Sequence, residues 1–296
     1  MKLSVERQGE LYISGGVLLW GFFPIIAFLS FHTLSPFISL AVSSLFSALF
    51  FAIILTVRRR WREVFNRQAL PSVLWATGIN GVLYFLLYYM GVRYTSPGNV
   101  SLLALTEIFF SFLLFHVWHK EYIPKEHIFG SLLILAGALI VLAPTIRAFH
   151  PGNLFILLGA AIVPYGNLHA RKARKIVSTE SLMFTRGLVS AVVIYMLAIV
   201  FQATNPLADI VSSLPYLVAN GVLLLGLSTM FWIEGIHRIT VTKANAMNSV
   251  GPLLTLFLAW GLLKTAPSMW QLFSFIPMFA GVLLLGKNLK KPTQHR

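Results

Sequence analysis

Glu107 is the residue whose type and position raise the sharpest chemical question in this sequence. It stands about ten residues inside an apolar stretch over 97–118, too deep for so short a side chain to reach water at either face of a bilayer. A lone carboxylate at that depth is costly, and is found facing a cavity or a partner. Its chemistry would be recognition of an amine or exchange of a proton; the structural alternative is a hydrogen bond to a neighbouring helix. Arg186 lies roughly 8 Å inside another apolar stretch, 181–203, by helical rise. It either snorkels its guanidinium back to water or turns inward for a structural or gating role, where its planar fork could also take a carboxylate. Trp20, Asn80, Tyr84, Tyr165, Asn245 and Asn248 fall at middle depths. Such side chains are awkward in lipid and natural on the wall of a polar cavity. Each alone would also serve packing between helices, but as a set they predict a cavity. Pro24 and Pro164 sit at matching depths of two apolar stretches, and with Pro252 they are the candidate hinges, because proline frees a backbone carbonyl inside a helix. No catalytic group, metal site or cofactor is expected. His116 and His119, with Glu121 nearby, sit at a span boundary without the spacing of a zinc helix, and neither a phosphate loop nor a nucleophile elbow is present.

The elements that must position these residues follow from composition. Hydrophobic residues make up 57% of 296 positions and charged residues 11%, with a mean hydropathy of +0.79. A soluble domain carries about 25% charged residues, so this chain is built for lipid. Its net charge of +14 sits in short clusters between apolar runs, which excludes a nucleic-acid-binding face. A bilayer core of about 30 Å needs about 20 apolar residues, and such runs fall at 11–31, 35–57, 71–91, 97–118, 127–144, 153–170, 181–203, 213–236, 244–263 and 269–287. With the N-terminus in the cytoplasm, nineteen of the 23 basic residues fall on the cytoplasmic side, among them Arg58, Arg59, Arg60, Arg62, Arg171, Lys172, Arg174 and Lys175. Only Arg93, Arg147 and Lys264 fall outside, and Arg186 is within a span. This bias is the positive-inside pattern, and one missed span would destroy it. The run Arg58-Arg59-Arg60-Trp61-Arg62 reads as an anchor on anionic headgroups.

The second half echoes the first at a spacing of about 140–145 residues. Asn80-Gly81-Val82-Leu83 returns as Asn220-Gly221-Val222-Leu223, Arg93-Tyr94-Thr95 as Arg238-Ile239-Thr240, and Ala136-Gly137-Ala138 as Ala280-Gly281-Val282. Five spans per repeat is an odd number, so the halves would have opposite topology, an architecture that lets two halves rock about one site.

Several of these residues carry a family resemblance. Gly16 to Gly21 with Trp20-Gly21, the run Gly91-Val92-Arg93-Tyr94-Thr95-Ser96, then Asn99, Ser101, Leu102, Leu103, Glu121, Gly130 and Gly137 resemble an EamA-type transporter of the drug/metabolite transporter superfamily. The resemblance covers nearly the whole chain. It implies ten helices, cytoplasmic termini and a central cavity from which small metabolites, often amino acids or drugs, are exported. The sequence departs from the family pattern at three places. Pro252 keeps the proline of the fourth span in the second repeat, whereas Glu107 replaces it in the first. Glu121 is matched by Lys264, and Arg186 by Ser43.

The sequence is therefore expected to be an all-α integral membrane protein of ten transmembrane helices, arranged as two inverted five-helix repeats over residues 1–144 and 153–288. The expected function is secondary transport, in the exporting direction, of amino acids, related compounds or drugs across the inner or plasma membrane. Its partners would be the small-molecule substrate, protons and membrane lipids, with no nucleic acid. The alternative is a membrane-embedded enzyme or lipid-processing protein, which would need two convergent catalytic groups where the sequence offers Glu107 and Arg186 on different spans.

Overall fold

Serine and proline mark where the helices begin. Ser35 accepts from Ile38 N at 3.2 Å with Pro36 in the first turn, and Ser96 accepts from Asn99 N at 3.2 Å with Pro97 in the same place. The serine oxygen takes up an orphan backbone donor, and the proline lacks one that would otherwise need a partner. The structure, a computed structural model, describes residues 4–114, 125–145, 150–239 and 241–285, without the side chains of residues 145, 241, 242, 245 and 246.

Among the described residues the chain is helical throughout, with no strand. The helices are α1 (Val5–Ser30), α2 (Pro36–Arg58), α3 (Leu70–Tyr94), α4 (Pro97–Ala104 and Thr106–Phe112), α5 (Lys125–Leu142), α6 (Pro151–Ala173), α7 (Thr179–Val200), α8 (Leu214–Ile236), α9 (Val241–Asn248 and Gly251–Leu263) and α10 (Met269–Leu285). Seven of them, α1, α2, α3, α5, α6, α7 and α8, are long and apolar enough to cross a membrane, which makes this a multi-pass membrane protein. The apolar stretches at 97–118 and 244–263 are not continuous helices. α4 breaks at Leu105, and α9 breaks between Asn248 and Gly251. In α9 the cause is Pro252, which cannot donate to the preceding turn. In α4 the backbone tightens to three-residue bonds, Leu105 N to Leu102 O and Ile108 N to Leu105 O, both 3.1 Å. The Thr106 hydroxyl takes up the Leu103 carbonyl at 2.6 Å. The two interruptions are separated by the spacing of the sequence repeat.

Helix pairing respects the same repeat. α5 packs on α10 and α2 on α7, each a pair of corresponding helices. α3 packs on α6 and α1 on α8, and exchanging the two halves converts one pair into the other. Because lipid is as apolar as leucine, helices in a membrane associate through close fit between small residues. α2 presents buried Ser39, Ser43, Ser44 and Ser47, and α7 presents Gly187, Ser190 and Ala191. The repeated Asn-Gly dipeptides occupy matching irregularities: Thr77–Leu83 of α3 and Ala219–Leu227 of α8 are both wound as π-helix. Wide turns of this kind cluster at functional sites in α-helices. Gly81 lies against Arg186 and Ser190 of α7, while Gly221 lies against Ser43, Phe46 and Ser47 of α2. Arg186 and Ser43 are thus equivalent positions in space as well as in sequence.

Candidate functional site

Six helices, α1, α3, α4, α6, α8 and α9, wall a cavity of about 480 Å³. These are three corresponding pairs, so the cavity lies between the halves. It opens at both helix interruptions: Ala104, Leu105, Glu107 and Ile108 line it from α4, and Asn248, Ser249, Gly251 and Pro252 from α9. Broken helices in corresponding positions leave backbone groups free beside a polar space, which is where bilayer-spanning carriers place their ligands.

Glu107 is on the cavity wall, with a helper. Asn167 of α6 donates from Nδ2 to Glu107 Oε1 at 3.2 Å, and Asn80 donates from Nδ2 to Asn167 Oδ1 at 2.8 Å. This chain runs from the carboxyl group in α4 through α6 to the π-helical turn of α3. Asn80 itself is buried behind Asn167 and is not part of the lining. Four aromatic side chains, Trp20, Tyr84, Tyr88 and Trp232, share the remaining wall with small and hydroxyl-bearing residues. Trp20 stacks on Phe23 at 4.7 Å between ring centroids, Tyr84 and Tyr88 stand 5.8 Å apart, and Trp232 joins the wall from α8. Ser101, Ser228, Thr229 and Thr255 supply hydroxyls, and Thr255 also ties α9 to α1 by donating to the Gly21 carbonyl at 3.0 Å. An anionic or proton-bearing group flanked by aromatic faces can hold a cationic group with attraction from both.

The other residues singled out in the sequence divide clearly. Trp20, Tyr84, Asn248, Pro24 and Pro252 line the cavity with Glu107. Arg186 does not: its stem covers Gly81, and its guanidinium carbon lies 5.6 Å from the centre of the Phe85 ring. Tyr165 turns outward at 39% exposure, and Pro164 is buried inside α6 away from the lining. Helical phase explains the split, since Tyr165 and Asn167 are two residues apart and therefore about 200° apart around α6. The side chain of Asn245 and the residues His116, His119 and Glu121 lie outside the described residues. Asn167 is the functional candidate that the sequence reading omits; its signal was an amide near the end of a span, one turn after Pro164.

The two ends of the bundle are tied differently. Where α1 begins, Lys243 of α9 pairs with Glu6 at 2.6 Å and with Glu10 of the same helix. Those two carboxylates hold the Lys243 ammonium above its ordinary range. At the opposite end, Gln271 of α10 donates to Asn99 Oδ1 at 2.7 Å and to Ser96 Oγ at 3.2 Å, and Thr95 donates to Asn153 Oδ1 at 2.8 Å. This polar belt joins the starts of α4, α6 and α10. The cavity lies between these two ends: α8 lines it near its finish with Ser228, Thr229 and Trp232, and α4 lines it near its start with Ser101.

Comparison with known proteins gives consistent results. The sequence profile of the EamA-like transporter family matches residues 7–143 and again 150–287. The chain is 20% identical over 247 residues to the uncharacterized transporter YoaV of Bacillus subtilis (strain 168), covering 82% of this chain and 84% of that one. It is 24% identical over 230 residues to the uncharacterized transporter YyaM of the same organism, covering 73% of each. An uncharacterized transporter of Methanothermobacter thermautotrophicus is 24% identical over 218 residues, covering 72% of this chain and 63% of its own length. A solved crystal structure superposes with a TM-score of 0.68 at 19% identity, covering 94% of this chain and 96% of that one.

Proposed function

Because the chain belongs to the EamA-like transporter family, we propose that it is a secondary transporter that moves small amine-bearing metabolites or drugs through the Glu107 cavity. In this reading ten helices span the inner or plasma membrane as two inverted repeats of five, with both termini in the cytoplasm. The repeats rock so that the cavity opens in turn to each face, with export as the working direction. The observation that carries the proposal is the placement of Glu107 on a cavity between the halves, beside the two helix interruptions. A volume of about 480 Å³ suits a ligand from amino-acid size to a small drug. Proton exchange at Glu107 is the proposed coupling step: a proton arriving from one side displaces the bound amine, and its departure on the other side restores the binding carboxylate. Pro24 and Pro252, both on the cavity wall, are the hinge positions of this scheme, with Pro164 corresponding to Pro24 in the second repeat.

Counterflow in proteoliposomes tests the proposal. Vesicles loaded with one member of a panel of amino acids, amines and common drugs should accumulate the labelled form of at least one of them. Chemical conversion of a panel member without counterflow would instead identify an enzyme, and no flux at all would contradict transport. Asn167 provides a second check. Its hydrogen bond orients Glu107, and a hydrogen bond to a charged group contributes about 1.5 kcal/mol, so Asn167→Ala should lower exchange roughly tenfold. The pH at half-maximal exchange should shift with it, a change that a purely structural role of Asn167 would not produce.

A further inference from the structure

A second cavity, of about 230 Å³, lies outside the central one, between the end of α2, the α6–α7 connection and the last turns of α8. It shares α8 with the central cavity but uses another face of that helix. Ser228, Thr229 and Trp232 face the central space, while Met230, Ile233, Glu234 and His237 face this one. Its floor is apolar, from Phe51, Val177, Met230 and Ile233. The ionisable groups that line it are Arg58, Arg60, Arg174, Glu180, Glu234 and His237. Both carboxylates already have cationic partners: Glu180 pairs with Arg58, and Glu234 with Arg238 at 2.6 Å. Arg60 has only a long contact of 3.9 Å to Glu63, and exposed Arg174 has no acidic partner among the described residues. The rim therefore keeps two arginines whose charge is not locally neutralised.

From this combination we infer that the cleft is a binding site for an anionic glycerophospholipid of the surrounding membrane. The phosphodiester sits between Arg60 and Arg174, and the start of an acyl chain runs over Met230 and Ile233. Arginine's fork matches phosphate oxygens, and basic clefts between spanning helices at the cytoplasmic face are suited to acidic headgroups. An apolar floor favours a lipid over a soluble anion, because free phosphate gains nothing from Phe51 or Ile233. The lipid would lie against the back of α8, whose neighbouring face lines the central cavity, but its binding does not depend on the transport reading.

The test uses the full chain in detergent, titrated with phosphatidylglycerol, phosphatidylcholine or inorganic phosphate, with occupancy read by native mass spectrometry. Phosphatidylglycerol should bind at one saturable site at least about tenfold more tightly than phosphatidylcholine, and inorganic phosphate should not displace it. Each arginine near anionic lipid contributes enough that the double variant Arg60→Ala/Arg174→Ala should weaken binding about thirtyfold, and Arg174→Ala alone about fivefold. Arg171→Ala, which removes the same charge from the last turn of α6 outside the cleft, should bind normally. The inference fails if Arg171→Ala weakens binding as much as Arg174→Ala does, or if the two lipids bind alike. Displacement of the lipid by inorganic phosphate would also overturn it, by showing a soluble-anion site.

Discussion

Replacing Glu107 by glutamine is expected to reduce substrate exchange on the order of a hundredfold and to remove its dependence on a pH gradient. The substitution keeps the shape of the side chain and leaves an amide that can still pair with Asn167, so the packing of α4 against α6 survives. What disappears is the capacity to carry a negative charge or to take and release a proton. A hydrogen bond to a charged partner is worth about 1.5–3 kcal/mol, about ten- to a hundredfold in binding, and loss of the proton step removes the coupling as well. The measurement is counterflow together with gradient-driven uptake in the same vesicles, for wild type and Glu107→Gln. Unchanged transport with unchanged pH dependence would remove Glu107 from the mechanism and leave it the role of a hydrogen-bonded strut.

A large structural effect is expected at Gly281. Here α10 and α5 approach so closely that a Cβ on Gly281 would lie 2.5 Å from the carbonyl oxygen of Gly130, 2.8 Å from Ile134 Cγ1 and 3.1 Å from Ile134 N. Two of those atoms belong to backbone and cannot rotate away. Gly281→Leu should therefore cost at least about 3 kcal/mol, the upper end for overpacking a well-fitted core, and lower the unfolding temperature in detergent by roughly 10 °C. Gly261→Leu is the matched control, because nothing lies within 4 Å of its missing Cβ; it should change the temperature little. Equal destabilisation by both would contradict the role of the α5–α10 contact, since glycine to leucine raises helix propensity at either position.

Much of this arrangement was legible in the sequence, and what escaped has identifiable causes. The depth of Glu107 in an apolar run predicts a cavity or a partner, and the structure supplies both, the cavity wall and Asn167. The repeated Asn-Gly dipeptides are visible as letters, but their π-helical winding is not, because it depends on how Gly81 and Gly221 seat against α7 and α2. The break in α4 is equally hidden: residues 100–112 contain neither glycine nor proline, so nothing local forbids a continuous helix. α9 announces its break through Pro252. Arg186 shows the limit of reasoning from depth alone. Depth alone leaves a snorkelling cation and an inward-turned one equally open, and the structure places the side chain over Gly81 and Phe85, between α3 and α7. Depth selects residues that must be accounted for; only the facing helix decides whether the account is a cavity, a neighbour or lipid.

The central claim, that this cavity is exposed in turn to the two sides of the membrane, is tested most directly through Ser101. This residue lies on the cavity wall in the first half of α4, and the chain has no cysteine, so Ser101→Cys creates a single reactive site. In vesicles of uniform orientation, a membrane-impermeant thiol reagent should label it when supplied from either side, and a counterflow substrate that occupies the cavity should slow both reactions. Labelling from one side alone, under every substrate and pH condition that supports binding, would contradict alternating access and leave the cavity as a pocket with a single mouth.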